Sequence, residues 1–302
     1  MKLVFLNGGL ANQTFQYVFF RIGQLRHPDE EWILDDSFFF VNDVHNGYEI
    51  DRVFGVRPRL ISTYFDNDVW EYMLGLKREG KSIPQIFMDN GEEMIKILEA
   101  DYSSSWNLFD GKTLVIDEAD RMNLNLLDLK GNIYYHGYWI HKYWMNRLEE
   151  AGERLEFKPA DDRKNLEIFK MINETESCAI HIRRGDYVDL GLVPDNSAIK
   201  FMTGQMIEKF PKTCLFVFSD DIDWCRKNEK NLGFDRFNDI YYVSNNHGNN
   251  AYKDAWLMSN CRYMILSNSA FCYLSALLNK KLRFCINPNR NRPLIDNGGT
   301  KW

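Results

Sequence analysis

Two adjacent arginines end an apolar run in His181-Ile182-Arg183-Arg184-Gly185-Asp186, and a glycine and an acid follow at once. The preceding residues alternate as a strand does, so His181 and Arg183 fall on one side and Ile182 on the other until the chain turns at Gly185. Two guanidiniums at a buried strand end are costly unless an anion or a carboxylate satisfies them, and their planar fork suits phosphate oxygens. A salt bridge from Arg184 to Asp186 that merely closes the turn is the structural alternative. A second group, Ser219-Asp220-Asp221-Ile222-Asp223-Trp224, follows the apolar run Cys214 to Phe218. Its carboxylates can accept from a guanine edge or a ribose hydroxyl, or Asp221 and Asp223 can clamp a divalent cation on a sugar-nucleotide diphosphate. One of these acids is equally explained as a helix cap. Ser267-Asn268-Ser269-Ala270-Phe271 puts small hydroxyls at a helix start, where they serve as phosphate donors or as N-caps. Gly8-Gly9-Leu10-Ala11-Asn12-Gln13 allows close backbone approach to a ligand before a helix N-terminus, or is simply a tight turn. The pattern G-x-G-x-x-G does not occur, which removes the main support for nicotinamide chemistry.

These four groups share a position: each follows a predicted strand, and in open α/β sheets ligands bind beyond the carboxyl ends of strands. Lys2 to Leu6 reads as the first strand, Gln13 to about Leu25 as a helix and Glu31 to Leu34 as the second strand, closed by Asp35-Asp36. From about Asn42 to Asp128 the signals support only mixed helices and loops. Asn132 to Trp139 is a β-branched and aromatic run that returns to the sheet, and a charged helix follows to about Phe157. The aromatics from Tyr134 to Trp144 read as core rather than as a sugar-stacking platform. A proline and a charge cluster at Lys158 to Arg163 mark a boundary, giving domains at 1–158 and 159–302. The second half repeats the rhythm: strands at Ser177 to Ile182, Cys214 to Phe218, Ile240 to Val243, Tyr263 to Leu266 and Leu282 to Ile286, with helices between them. That order predicts an α/β fold with parallel sheets covered on both faces.

Composition narrows the function classes. With 302 residues, 45% of them hydrophobic, the chain can bury a large core and is not intrinsically disordered. Its 37 basic residues against 43 acidic give a net charge of −6, which argues against a surface for wrapping nucleic acid while leaving room for a local basic pocket. No apolar run approaches the roughly 20 residues needed to span a bilayer. Met1 to Leu6 is too short for a signal-peptide core. The six cysteines are scattered without a C-x-x-C pair and read as buried free thiols, with no zinc or disulfide framework. The expectation is a cytoplasmic protein, with peripheral contact at the inner face of the membrane left open by the acidic surface.

Read together, GGLANQTFQY (Gly8 to Tyr17), HIRRGDYV (His181 to Val188), FVFSDDIDWC (Phe216 to Cys225) and ILSNSAF (Ile265 to Phe271) resemble glycosyltransferase family 11, the α-1,2-fucosyltransferase family. Weaker matches at YEIDRVFG (Tyr48 to Gly55) and YYHGYWIHKYW (Tyr134 to Trp144) extend the similarity over nearly the whole chain in the family's order. The resemblance implies a GT-B type enzyme of two facing Rossmann-like α/β domains, with GDP-β-L-fucose held mainly by the C-terminal one. It implies no metal and no cofactor beyond GDP-fucose as co-substrate, and an oligosaccharide or glycolipid acceptor, most simply a galactoside taking fucose on its 2-hydroxyl. Arg183 would contact the diphosphate and stabilise the leaving GDP, with Arg184 and Asp186 in support. His181 and Asp221, with Asp220 beside it, would lie around the guanosine. Ser267 and Ser269 would offer donors to the diphosphate, and Gly9 and Phe271 belong to the same donor site. Asn12 would reach the reacting sugar from the other domain. Asp35, Asp36, His136 and Asp186 are the candidates for taking the acceptor's proton. The sequence departs from the family pattern at Ala11, Thr14 and Ala270, in the CYLSALLN segment after Phe271, and in the stretch after Tyr187. A metal-dependent D-x-D glycosyltransferase using another sugar nucleotide, and a homologue that binds nucleotide or glycan without turnover, are the competing readings.

Overall fold

A computed structural model describes residues 1–100, 112–117 and 120–288. The chain divides into two compact units, Met1–Arg154 and Leu155–Trp302. Among the described residues the first unit holds five strands: β1 (Lys2–Phe5), β2 (Trp32–Asp35), β3 (Ile95–Glu99), β4 (Lys112–Ile116) and β5 (Ile133–His136). They form one parallel sheet in the order β2-β1-β5-β3-β4. The second unit repeats the plan with β6 (Ser177–Ile182), β7 (Cys214–Ser219), β8 (Ile240–Val243), β9 (Tyr263–Ile265) and β10 (Phe284–Ile286), ordered β10-β9-β6-β7-β8 and parallel throughout.

Central strands buried on both faces explain why the runs are apolar nearly end to end. Cys178, Ile180 and Ile182 of β6 join Leu215 and Val217 of β7 in one core cluster. The alternate residue His181 points to the opposite face, as the strand period requires. In the first unit Leu3, Phe5 and Ile33 pack with Phe38, Trp70 and Met73. All six cysteines are free, and all but Cys214 are buried. Among the described residues no helix is long and apolar enough to cross a membrane.

The stretch expected to hold only helices and loops contains β3 and β4. Both break the usual strand pattern: Lys96 is buried within β3, whereas Leu114 and Val115 of the edge strand β4 are 46% and 58% exposed. The run expected to continue to Trp139 stops at His136, because Glu99 Oε2 accepts from the backbone N–H groups of Tyr138 (2.7 Å) and Trp139 (3.1 Å) and folds the chain over. Trp139 there adopts φ +56°, a left-handed conformation rare for a bulky residue, and stacks on Phe19 at 4.0 Å. Tyr134, Tyr135, Trp139 and Trp144 are all buried, in keeping with their reading as core.

Candidate active site

In the second unit the ends of β6, β7 and β9 bring the expected side chains together. Beyond β6 the chain turns into the short helix Gly185–Asp189, and Gly185 leaves no room for a side chain, since a Cβ would stand 2.7 Å from Asp220 Oδ2. Arg183 lies between two acids: Nε and Nη2 approach Asp186 Oδ1 at 2.9 and 2.8 Å, and Nη1 approaches Asp220 Oδ2 at 2.9 Å. These contacts leave at least two of the guanidinium's five N–H donors for another acceptor. Arg184 is held differently. Its backbone N–H donates to Asp220 Oδ1 (2.8 Å), its Nε to Asp221 Oδ2 (3.2 Å), and its guanidinium lies 3.8 Å from the centre of the Trp224 ring. The turn-closing salt bridge considered for Arg184 and Asp186 thus belongs to Arg183, which is one residue nearer the strand.

Asp221 caps the helix Ile222–Lys227 by accepting from the Trp224 N–H at 3.1 Å while its other oxygen takes Arg184. Both oxygens of Asp220 and of Asp221 are therefore engaged, which leaves Asp221 poorly placed to join Asp223 in a D-x-D cation clamp. Among the described residues no group of three His, Cys, Asp or Glu side chains gathers as a metal site would need.

His181 and Ser267 meet across β6 and β9, Nδ1 to Oγ at 3.2 Å, and the ring packs 5.6 Å from Phe271. Burial lowers the His181 pKa to about 4, with the Arg183 charge adding to the shift and Asp220 opposing it. The imidazole is neutral at pH 7 and can act as a hydrogen-bond partner rather than as a cation. Ser269 accepts from the Phe271 N–H at 3.2 Å, so it caps the helix Ala270–Leu277. Its capping role is realised, and Ser267 is the hydroxyl aligned with His181.

A polar network that the sequence reading did not single out lies past β8. Asn246 Nδ2 donates to Asp254 Oδ1 (2.6 Å), and Asn246 exchanges bonds with Asn165 at 2.8 and 2.9 Å. Asp162 caps the helix Arg163–Glu174 and receives Lys253 Nζ at 2.8 Å, which with the Asn165 bonds holds its carboxyl below the usual range. Burial instead pushes Asp254 up to about 7. The signal available in the sequence was Asn245-Asn246 after a strand with an acid in the next helix; scattered amides carry no motif, so it went unread.

In the first unit the diglycine turn leads into the helix Leu10–Arg26. Gly8 has φ +72°, and the Asn12 amide covers it so closely that a Cβ there would lie 2.5 Å from Nδ2. Gln13, fully buried, stitches this turn to the following loop: Nε2 donates to Gly8 O and Gly47 O at 2.8 Å each, and Oε1 accepts from Glu49 N at 2.9 Å. Asp35, Asp36 and His136 stand at the carboxyl ends of β2 and β5, all buried.

The family model for glycosyl transferase family 11 matches residues 118–292. An alpha-1,2-colitosyltransferase of Escherichia coli is 36% identical over 159 residues, covering 50% of this chain and 52% of that protein, so the chain spans about half the length of this curated relative. The O-antigen biosynthesis glycosyltransferase WbnK of Escherichia coli is 25% identical over 297 residues, covering 91% of this chain and 89% of that one. Among solved structures, fucosyltransferase NodZ from Bradyrhizobium aligns with a TM-score of 0.53 at 12% identity, covering 96% of this chain and 95% of NodZ. NodZ alpha-1,6-fucosyltransferase soaked with GDP-fucose gives 0.50 at 12% identity, covering 92% and 91%. At that identity the likeness is one of fold, and the fold is the GT-B type that the resemblance implied.

Proposed function

The chain belongs to glycosyl transferase family 11, and from that premise we propose that it transfers L-fucose from GDP-β-L-fucose, with inversion, to the 2-hydroxyl of a galactoside glycan. The observation that carries this reading is the Arg183 guanidinium, fixed between Asp186 and Asp220 with N–H donors to spare, beside a neutral His181 and the Ser267 hydroxyl. In transfer, the acceptor oxygen bonds to the anomeric carbon as the bond from that carbon to the β-phosphate oxygen breaks. The electron pair departs with GDP, so negative charge grows where Arg183 can meet it. Donors positioned before the reaction act most strongly on charge that develops during it. No metal or further cofactor enters this scheme.

A second reading has its own support: the relative at 36% identity is a colitosyltransferase. Colitose is fucose without its 3-hydroxyl, so the same diphosphate machinery serves either sugar. A direct competition between GDP-fucose and GDP-colitose decides which one the pocket prefers.

For the nucleobase, the engagement of Asp220 and Asp221 shifts the acceptor role toward Asp254, where only Oδ1 has a partner among the described residues. A carboxylate can accept both N–H groups of a guanine edge, and it does so only when ionised. Because the Asp254 proton leaves near pH 7, GDP affinity is expected to rise as pH increases through that value. Calorimetric titration of the EDTA-treated protein with GDP, UDP and GDP-fucose tests the whole reading. Selective GDP and GDP-fucose binding, with Asp254→Asn losing both the selectivity and the pH dependence, is the expected result. Binding of UDP as well, or binding only after metal is returned, would favour the D-x-D alternative. Tight GDP binding without transfer or hydrolysis would favour a non-catalytic homologue.

A further inference from the structure

We propose that the first unit carries a ligand site of its own, for a small sugar-like ring bearing a phosphate or a carboxylate, in the cleft between the C-terminal half of the helix Leu10–Arg26 and the segment 56–59. The cleft encloses about 410 Å³, within the range of small-molecule pockets, and every residue that lines it belongs to this unit. Its walls come from two stretches of chain. Tyr17 and Arg21 stand four residues apart on one face of the helix, and Val56, Arg57, Pro58 and Arg59 run along the other side. Pro58 biases Arg57 toward an extended backbone, in which residues two apart share a side, and both Arg57 and Arg59 line the cleft. The segment is fastened at its far end, where the Leu34 N–H of β2 donates to the Arg59 carbonyl at 2.9 Å.

Three arginines gather here in a chain whose net charge is −6, and they are not equally engaged. Arg21 is spent on Glu153, which takes both its Nε and its Nη2, and on Gln24 Oε1 at 3.1 Å. Arg59 gives one bond to Glu31 (2.9 Å) and is otherwise 56% exposed. Arg57 is exposed and has no hydrogen bond or ion pair among the described residues. Glu153 is the one acid among the described lining residues, so the cleft keeps an excess of positive charge. Tyr17 is the second, independent observation. It is 6% exposed, yet its hydroxyl has no hydrogen bond among the described residues, whereas the buried Tyr134 and Tyr135 hydroxyls each donate at 2.7 Å. A buried phenol left unpaired is costly, and a ligand oxygen in the cleft satisfies it. Burial also raises the Tyr17 pKa, so at neutral pH the group is a donor. An oxyanion thus meets a phenolic O–H and unspent guanidinium N–H groups, with Val56 and Pro58 beside them for the C–H face of a ring. The volume far exceeds that of a bare oxyanion, which calls for a ring behind the charge.

Calorimetric titration of the full chain with galactose 6-phosphate, glucuronate, inorganic phosphate and neutral galactose tests the site. The parent is expected to bind galactose 6-phosphate or glucuronate, the preference between them identifying the anion, and to bind it about tenfold or more tightly than inorganic phosphate. Arg57→Ala, at an exposed position, and Tyr17→Phe, which removes one hydroxyl, should each weaken that binding about tenfold, the scale of one hydrogen bond to a charged group. Neutral galactose should titrate alike in the parent and both variants. Arg183→Ala should leave the anionic sugar's affinity unchanged; loss of binding there places the anion in the second unit and overturns the proposal. Equal affinity in the parent, Arg57→Ala and Tyr17→Phe overturns it too, as does a parent that takes up neither anionic sugar at about 10 mM. Inorganic phosphate bound as tightly as the sugars overturns the ring-bearing ligand.

Discussion

Arg183→Ala is expected to lower fucosyl transfer at least a hundredfold, on the scale of losing about 3 kcal/mol of transition-state stabilisation. The side chain is 33% exposed, and its removal leaves Asp186, itself 51% exposed, able to hydrate, while Asp220 keeps the Arg184 N–H. The folding cost should therefore be about 1 kcal/mol or less, as for other partly exposed ion pairs. A large loss of rate with little loss of stability separates a chemical role from a structural one. Two guanidiniums here face three carboxylates, Asp186, Asp220 and Asp221, so the turn carries a local excess of one negative charge. A diphosphate is then attracted by specific N–H groups rather than by a general positive field. It follows that Arg183→Lys, with a point charge and no fork, should recover only part of the rate. Asp186→Asn, which keeps a contact to Arg183 and removes a competing charge, should lose far less than Arg183→Ala. Steady-state kcat/KM for the three variants, beside their melting temperatures, checks each step. Full activity in Arg183→Ala would remove this residue from the chemistry.

The second unit was more legible in the sequence than the first, for a physical reason. Ser177–Ile182 is a run buried along its whole length, and Ile240–Val243, though at the sheet edge and only partly buried, is still an unbroken apolar and aromatic run, so the bounds of both follow from residue type. In the first unit β3 carries a buried lysine and an acid, and β4 lies exposed at the sheet edge, so neither showed the pattern of a core strand. Site residues followed the same division. His181, Arg183, Asp220 and Ser267 could be placed because a strand end fixes them. The pairing among them could not, because one residue of rotation at the turn decides whether Arg183 or Arg184 meets Asp186. Asp254 escaped for another reason: it belongs to a network of amides without a spacing rule.

Gln13→Ala is expected to destabilise the protein by about 3 kcal/mol, through loss of three bonds to backbone groups and the cavity left behind. Gly8 O and Glu49 N are held away from water and Gly47 O is partly so, and leaving a buried group unpaired costs about 1–3 kcal/mol, less whatever an entering water recovers. Gln13→Glu should be no better, because an ionised side chain would set an oxygen against two carbonyls where the amide donated. Gln16 provides the comparison. It is also fully buried, three residues along the same helix, and bonds Asn7 Oδ1 (2.7 Å), Asn7 N (3.0 Å) and Gly137 O (3.0 Å). Both glutamines staple loops to one helix, so Gln16→Ala should show a similar shift in urea midpoint. Only Gln13, however, ties the Gly8-Gly9 turn, which Asn12 covers, to the loop at Gly47 and Glu49. Measured at a temperature where both variants remain folded, Gln13→Ala should lose at least tenfold more activity than Gln16→Ala, equivalent to about 1.4 kcal/mol or more in the barrier. Equal losses would mean that the turn contributes to stability alone.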